Sequence, residues 1–161
     1  MPHRRLRTFP SPGQGNSLWH WRKVVPLGRA TRNYVLMNLA RAVPSMQLRV
    51  DLLRRMGARV GDRVSWGLEA TMDILFPEEI TIGENSIIGY RSAILAHEFL
   101  IKEYRIGEVV IGKDVVIGAN STILPGIKIA DGTVVSACSL VNSDVSGFVG
   151  GVPARTLRNS I

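Results

Sequence analysis

The chain has 161 residues, 45% of them apolar, with a single cysteine (Cys138) and three histidines, His3, His20 and His97. One cysteine excludes an intramolecular disulfide and a cysteine-rich zinc module, and no apolar run reaches the ~18–20 residues of a membrane span. Net charge is +7, but residues 1–60 hold twelve Arg/Lys against Asp51 alone while residues 61–161 hold eight against twelve acids, a distribution that argues against a nucleic-acid binder.

Residues 1–30 carry Arg4, Arg5, Arg7, Arg22, Lys23 and Arg29 together with Pro2, Pro10, Pro12 and Pro26. The stretch from Ser11 to Ser17 has turn and linker chemistry and little to bury. No continuous apolar core of a secretory signal lies here; the Arg-rich, acid-poor composition also fits an organelle transit peptide, and a cytoplasmic location is expected. The segment reads as a basic, partly disordered arm, with Trp19 and Trp21 available for weak contact with an anionic membrane surface.

Residues 31–57 change character. Val35, Leu36, Leu39 and Val43 fall at helical spacing before Pro44, and Met46, Val50, Leu53 and Met56 resume it after Ser45. The spacing predicts two short amphipathic helices, the second stopping at Gly57, with Arg41, Arg49, Arg54 and Arg55 mostly on the solvated side.

From Val60 onward the sequence repeats every six residues. Six tandem copies run from Ile111-Gly112-Lys113-Asp114-Val115-Val116 to Val141-Asn142-Ser143-Asp144-Val145-Ser146, each opening on Ile or Val. Earlier copies begin at Val60-Gly61, Ile82-Gly83 and Ile88-Gly89. So short a period specifies a parallel β-helix. Three hexads make one triangular coil of 18 residues, and each β-branched first residue stacks inside over its counterpart one coil later. Division at Val60, Ile82, Ile111 and Ile129 gives four coils of 22, 29, 18 and 18 residues, 4 extra in the first and 11 extra in the second. The prism is then about 19 Å long at ordinary strand spacing. Its open ends need caps, which the helices at 31–57 and the tail at 147–161 are placed to supply.

The larger insertion, residues 98–110, directly follows His97, the only histidine among the repeats. Imidazole can take the proton of an attacking hydroxyl near neutral pH, which makes His97 the candidate general base. Ala137 lies 18 residues after Ala119, one coil along the same edge, so that small side chains form a straight track there.

Hexads, then Leu95-Ala96-His97-Glu98 and a loop, then unbroken hexads and finally Gly151-Val152-Pro153-Ala154-Arg155 resemble the hexapeptide-repeat O-acetyltransferases of the maltose and galactoside type over about residues 45–160. The resemblance implies an all-β solenoid wound as a left-handed parallel β-helix over residues 58–161. It implies a homotrimer with active sites between neighbouring subunits, acetyl-CoA as co-substrate, a small hydroxyl acceptor and no metal. It implies His97 as general base and direct transfer without an acyl-enzyme. Glu103 matches the family's acidic partner of that histidine, with Glu98 as the second choice. Gly118, Ala119, Ala137, Asn142 and Ser143 match main-chain and polar contacts to CoA, Arg155 and Arg158 match cations for its phosphates, and Tyr104 matches a residue lining the acceptor pocket. Two acceptor-side positions fall on Glu69 and Pro77, which do not fit a maltose or galactoside site, so Asp73 is expected to face the acceptor instead.

Three other functions compete. N-acetylation of an amino-sugar or antibiotic would use the same parts. A β-helix carbonic anhydrase needs about three histidine ligands where this repeat region has one. A non-catalytic β-helix scaffold would have no use for the insertion.

Overall fold

The computed structural model describes residues 4–157. Three parallel sheets form the faces of a triangular prism. The first face stacks strands Arg59–Val60, Ile80–Ile82, Val109–Ile111 and Lys128–Ile129. The second stacks Ser65–Trp66, Ile87–Ile88, Val116–Ile117, Val134–Val135 and Phe148–Gly150. The third stacks Thr71–Met72, Ala93–Ile94, Thr122–Ile123 and Leu140–Val141. Val60 pairs with Ile82, Ile82 with Ile111, and Ile111 with Ile129, the register that the hexad count predicts. The inward residues of each face form three ladders, such as Met72, Ile94, Ile123 and Val141, all buried.

Hexad chemistry makes the corners. At the fourth position, Asp114, Asn120, Gly126, Gly132 and Cys138 all adopt the left-handed backbone conformation, with φ between 55° and 80°. Glycine at the second position serves a different need, close approach between coils. A Cβ on Gly118 would lie 2.7 Å from Ala137 Cα.

Helix α1 (Leu27–Ala42) stops before Val43, which the following Pro44 holds in extended geometry. Helix α2 (Met46–Met56) starts on Ser45, whose hydroxyl accepts the Leu48 N–H at 3.3 Å, and stops on Gly57 at φ 117°. Val50, Leu53 and Met56 of α2 close one end of the prism over buried Trp66. Two expectations fail here. Arg49 is buried, not solvated; it bonds the Val43 carbonyl at 2.6 Å and the Trp66 carbonyl at 2.8 Å, joining the helical cap to the first coil. And α1 buries Ala30, Asn33, Met37 and Ala40 while Val35 and Leu39 stay exposed. Ala30 and Ala40 flank Asn33 and Met37 on that face and let the helix come close enough for Asn33 to donate to the Ile74 carbonyl at 2.9 Å.

At the other end the coil outlasts its repeats. Phe148–Gly150 adds a fifth strand to the second face before Arg155–Thr156 returns antiparallel against it and closes the sheet.

Over its described residues, 4–30, the N-terminal segment is built into the fold and is not a disordered arm; residues 1–3 lie outside the described residues. Arg7–Pro10 forms a strand antiparallel to Glu103–Ile106, and Ser17–Lys23 forms a 3-10 helix. The hydroxyl oxygen of buried Ser17 lies 2.6 Å from the Leu100 carbonyl and 2.9 Å from the Glu103 carbonyl, with one proton to share between them, and the Ser17 N–H donates to the Leu100 carbonyl at 2.9 Å, fastening the segment to the tip of the insertion. Trp19 is exposed, but Trp21 packs inward, so the pair does not form one interfacial anchor. The lopsided charge is largely an internal matter. Arg4 pairs with Glu98, Arg5 with Asp144, Arg7 with Glu79, Arg29 with Glu78, Arg41 with Glu69 and Arg59 with Glu108, each joining the basic front of the chain to the acidic prism.

Candidate active site

Both insertions leave the prism at one corner. Met72 and Ile94 are partners on the third face, and the extra residues of the first and second coils follow directly after them. Asp73 therefore stands one residue beyond Met72, and His97 three beyond Ile94, on adjacent coils of one edge. The second insertion is a hairpin of His97–Phe99 and Glu103–Ile106, to which Arg7–Pro10 adds a third strand.

Asp73 is buried and bonded through both oxygens. Oδ1 accepts the N–H groups of Leu75 (2.9 Å) and Phe76 (3.0 Å), and Oδ2 accepts the Ala96 N–H (2.9 Å) and His97 Nδ1. Burial pushes the Asp73 carboxyl up, but the bond from His97, the imidazolium charge and the backbone N–H groups outweigh it and hold it below the usual carboxylate range. An acceptor at Nδ1 fixes the tautomer with the proton there and the lone pair on Nε2. Among the described residues Nε2 has no hydrogen-bond partner, and the ring lines two cavities. Phe76 and Phe99 hold its flanks, with ring centroids 5.4 and 4.9 Å away.

Asp73 therefore holds the imidazole at Nδ1, in the place expected of Glu103 or Glu98, and also borders the smaller of the two cavities. Strand alternation explains the correction. His97, Phe99, Tyr104 and Ile106 share one face of the hairpin, while Glu98, Glu103 and Arg105 share the other. Glu98 pairs with Arg4 there, and Glu103 accepts from Arg105 Nε at 2.8 Å. Tyr104 faces the right way but stands too far along the strand. It stacks on Phe9 with centroids 5.0 Å apart, packs behind Phe99, and lines neither cavity beside His97.

Gly118, Ala119 and Ala137 do come together. The Cys138 N–H donates to the Ala119 carbonyl at 2.8 Å, so the two alanines sit on adjacent coils of the edge between the second and third faces. Among the described residues neither Ala119 N–H nor Ala137 N–H meets an acceptor. Ser143 and Arg155 line a cavity of about 530 Å³ at the C-terminal end. Asn142 does not join them there, and its Oδ1 is buried without a partner among the described residues. Arg158 lies outside the described residues. The alanine track and His97 occupy different edges, separated by the six-residue width of the third face, up to about 20 Å at ~3.3 Å per residue.

Sequence reasoning missed the cavity-lining role of Leu18, Trp21, Leu27 and Tyr34. Their segment showed no repeat to place them. It missed the role of Asp73 although a signal was present: the two coil lengths in excess of 18 both insert after the same ladder position.

A family model described as "Bacterial transferase hexapeptide (six repeats)" matches residues 108–143. "Putative acetyltransferase YvoF" of Bacillus subtilis (strain 168) is 50% identical over 157 residues, covering 96% of this chain and 91% of that protein. The crystal structure of the hexapeptide-repeat acetyltransferase VCA0836 from Vibrio cholerae O1 biovar eltor, complexed with acetyl-CoA, is 25% identical and superposes with a TM-score of 0.62 over 81% of this chain and 86% of that one. A galactoside acetyltransferase in complex with coenzyme A shares the fold at 23% identity, with a TM-score of 0.63 over 81% of this chain and 80% of that one. The coil is thus a left-handed parallel β-helix, and the chain belongs to the hexapeptide-repeat acetyltransferase family.

Proposed function

We propose that the protein transfers an acetyl group from acetyl-CoA to a hydroxyl of a small acceptor, with His97 as general base. The observation that carries this reading is the imidazole held at Nδ1 by buried Asp73, with Nε2 open to two cavities. The acceptor hydroxyl gives its proton to Nε2 as its oxygen attacks the thioester carbonyl. The tetrahedral intermediate collapses, the carbon–sulfur bond breaks, and the imidazolium returns the proton to the departing CoA thiolate. Asp73 stabilises the transient imidazolium and keeps the ring in the productive tautomer. No covalent acyl-enzyme is needed, since one base serves both proton transfers.

The unpaired N–H groups of Ala119 and Ala137 are suited to receive the amide carbonyls of an extended pantetheine arm or a developing oxyanion. Because that track and His97 stand on different edges of one prism, we assign each site to two chains. His97 comes from one and the Ala119–Ala137 edge from its neighbour, in a homotrimer closed by threefold rotation.

The test combines product chemistry with mixing. Purified protein given acetyl-CoA and an acceptor panel releases CoA in step with acetylated product. Cleavage of that product by alkaline hydroxylamine identifies an ester, and resistance identifies the amide of an N-acetyltransferase. His97→Ala and Ala119→Trp proteins, each inactive alone, regain activity when unfolded and refolded together, since one mixed interface carries both intact halves. Failure to regain activity would place both halves of the site in one chain.

A further inference from the structure

Acetyl transfer by His97 leaves the acceptor unnamed, and the choice of acceptor rests on that transfer reading. The two cavities that meet at the imidazole differ in chemistry. The larger, about 410 Å³, is walled mainly by Leu18, Trp21, Leu27, Ala30, Ile74 and Leu75; besides His97 its polar groups are the hydroxyls of Thr31 and Tyr34, and no acid, lysine or arginine lines it. The smaller, about 290 Å³, carries Asn38, Arg41 and Thr71. Tyr34 and Ile74 border both, so the reactive nitrogen stands at their junction.

A free sugar seated in the larger cavity would leave most of its hydroxyls facing Leu, Ile and Trp side chains, with more of them than the Thr31 and Tyr34 hydroxyls can pair. An alkyl or aryl group gains there instead, by the removal of apolar surface from water. The volume lies within the range of small-molecule sites. We propose that the acceptor is an amphiphile. Its hydroxylated part lies against Asn38, Arg41 and Thr71, its apolar substituent fills the cavity under Leu18, Trp21 and Leu27, and the reacting hydroxyl sits between them beside His97. The N-terminal segment, anchored to the insertion through Ser17, supplies much of the apolar wall, so selection of the apolar substituent resides largely in residues 18–34.

The experiment measures kcat/KM for CoA release with free glucose, with methyl, butyl, hexyl and octyl β-glucosides below their micelle concentrations, and with the alcohols from ethanol to octanol. In at least one of the two series, kcat/KM rises about fourfold per added methylene until the cavity is filled. The Leu18→Gln/Leu27→Gln protein, altered only at half-exposed positions, shows a shallower rise. Turnover that is independent of chain length, or best with free glucose, overturns the amphiphilic acceptor and leaves acetyl transfer standing. An absence of CoA release with every compound, in protein shown by calorimetry to bind CoA, overturns the transfer reading and the amphiphile with it.

Discussion

Replacement of Asp73 by asparagine separates orientation of the base from its presence. In the native site the two carboxylate oxygens accept four hydrogens, two at Oδ1 and two at Oδ2. An amide offers one oxygen. If that oxygen stays on Leu75 and Phe76, the new NH2 group meets the Ala96 N–H and the imidazole Nδ1–H, donor against donor. The ring relieves the conflict by moving its proton to Nε2, so that Nδ1 accepts from the amide and Nε2 can no longer act as base. A hydrogen bond to a charged group contributes about 1.5–3 kcal/mol, and an unsatisfied buried donor costs about 1–3 kcal/mol. One bond re-forms in reverse and the Ala96 N–H is stranded, so the net loss of stability is about 3 kcal/mol at pH 7. Activity falls further, because general-base catalysis contributes about 10²–10⁴. The stability difference also depends on pH. The Asp73 carboxyl sits below its unfolded value of 3.8, so it stabilises the fold above that pH and loses this contribution as pH falls through the lower folded value. Asparagine has no such titration. Urea unfolding of both proteins should therefore show the full gap at pH 7 and a narrowing gap below about pH 4. Long-range nitrogen–proton NMR of the His97 ring reads the tautomer directly. A variant with kcat within threefold of native, or with its proton still on Nδ1, would refute the assignment.

Other substitutions test the scaffold. Gly118→Ala places a methyl 2.7 Å from Ala137 Cα, against backbone that cannot yield, and should lower the urea midpoint by an amount equivalent to about 3 kcal/mol. Arg49→Met strands the Val43 and Trp66 carbonyls beneath the helical cap, and calorimetric unfolding should register a loss of about 3 kcal/mol. Cys138→Asn puts a residue that tolerates φ 58° into a corner where cysteine is strained, and should raise stability by about 0.5–1 kcal/mol in thermal melts. Equilibrium sedimentation should give three times the 17.7 kDa chain mass, and a monomer would remove the shared site.

The prism was legible because a β-helix writes its geometry into its period. The first-position Ile/Val ladder set coil length, register and both insertions, and it located His97 at an edge. The alanine track at 119 and 137 followed from the same 18-residue arithmetic. What the period does not reach was harder to read. The family pattern points to Glu103 beside the imidazole, and adjacency in sequence to Glu98, yet alternation along the hairpin turns both away. Asp73, twenty-four residues upstream, arrives by coil stacking. The N-terminal segment has no repeat, little apolar spacing and abundant arginine, so its composition matches a solvated arm. Its order comes from partners elsewhere in the chain: an edge strand at Glu103–Ile106, two carbonyls for Ser17 and acids across the prism for its arginines. On α1, hydrophobicity pointed to Val35 and Leu39, whereas close packing selected the alanines and Asn33.

All of the chemistry proposed for this protein passes through one nitrogen, Nε2 of His97. The direct measurement is the steady-state rate of CoA release by His97→Ala beside native protein, with CoA affinity followed by calorimetry. A general base at this position predicts at least a hundredfold fall in kcat, about the lower end of what such a base contributes, with CoA affinity retained; a His97→Ala protein that turns over as fast as native would contradict it.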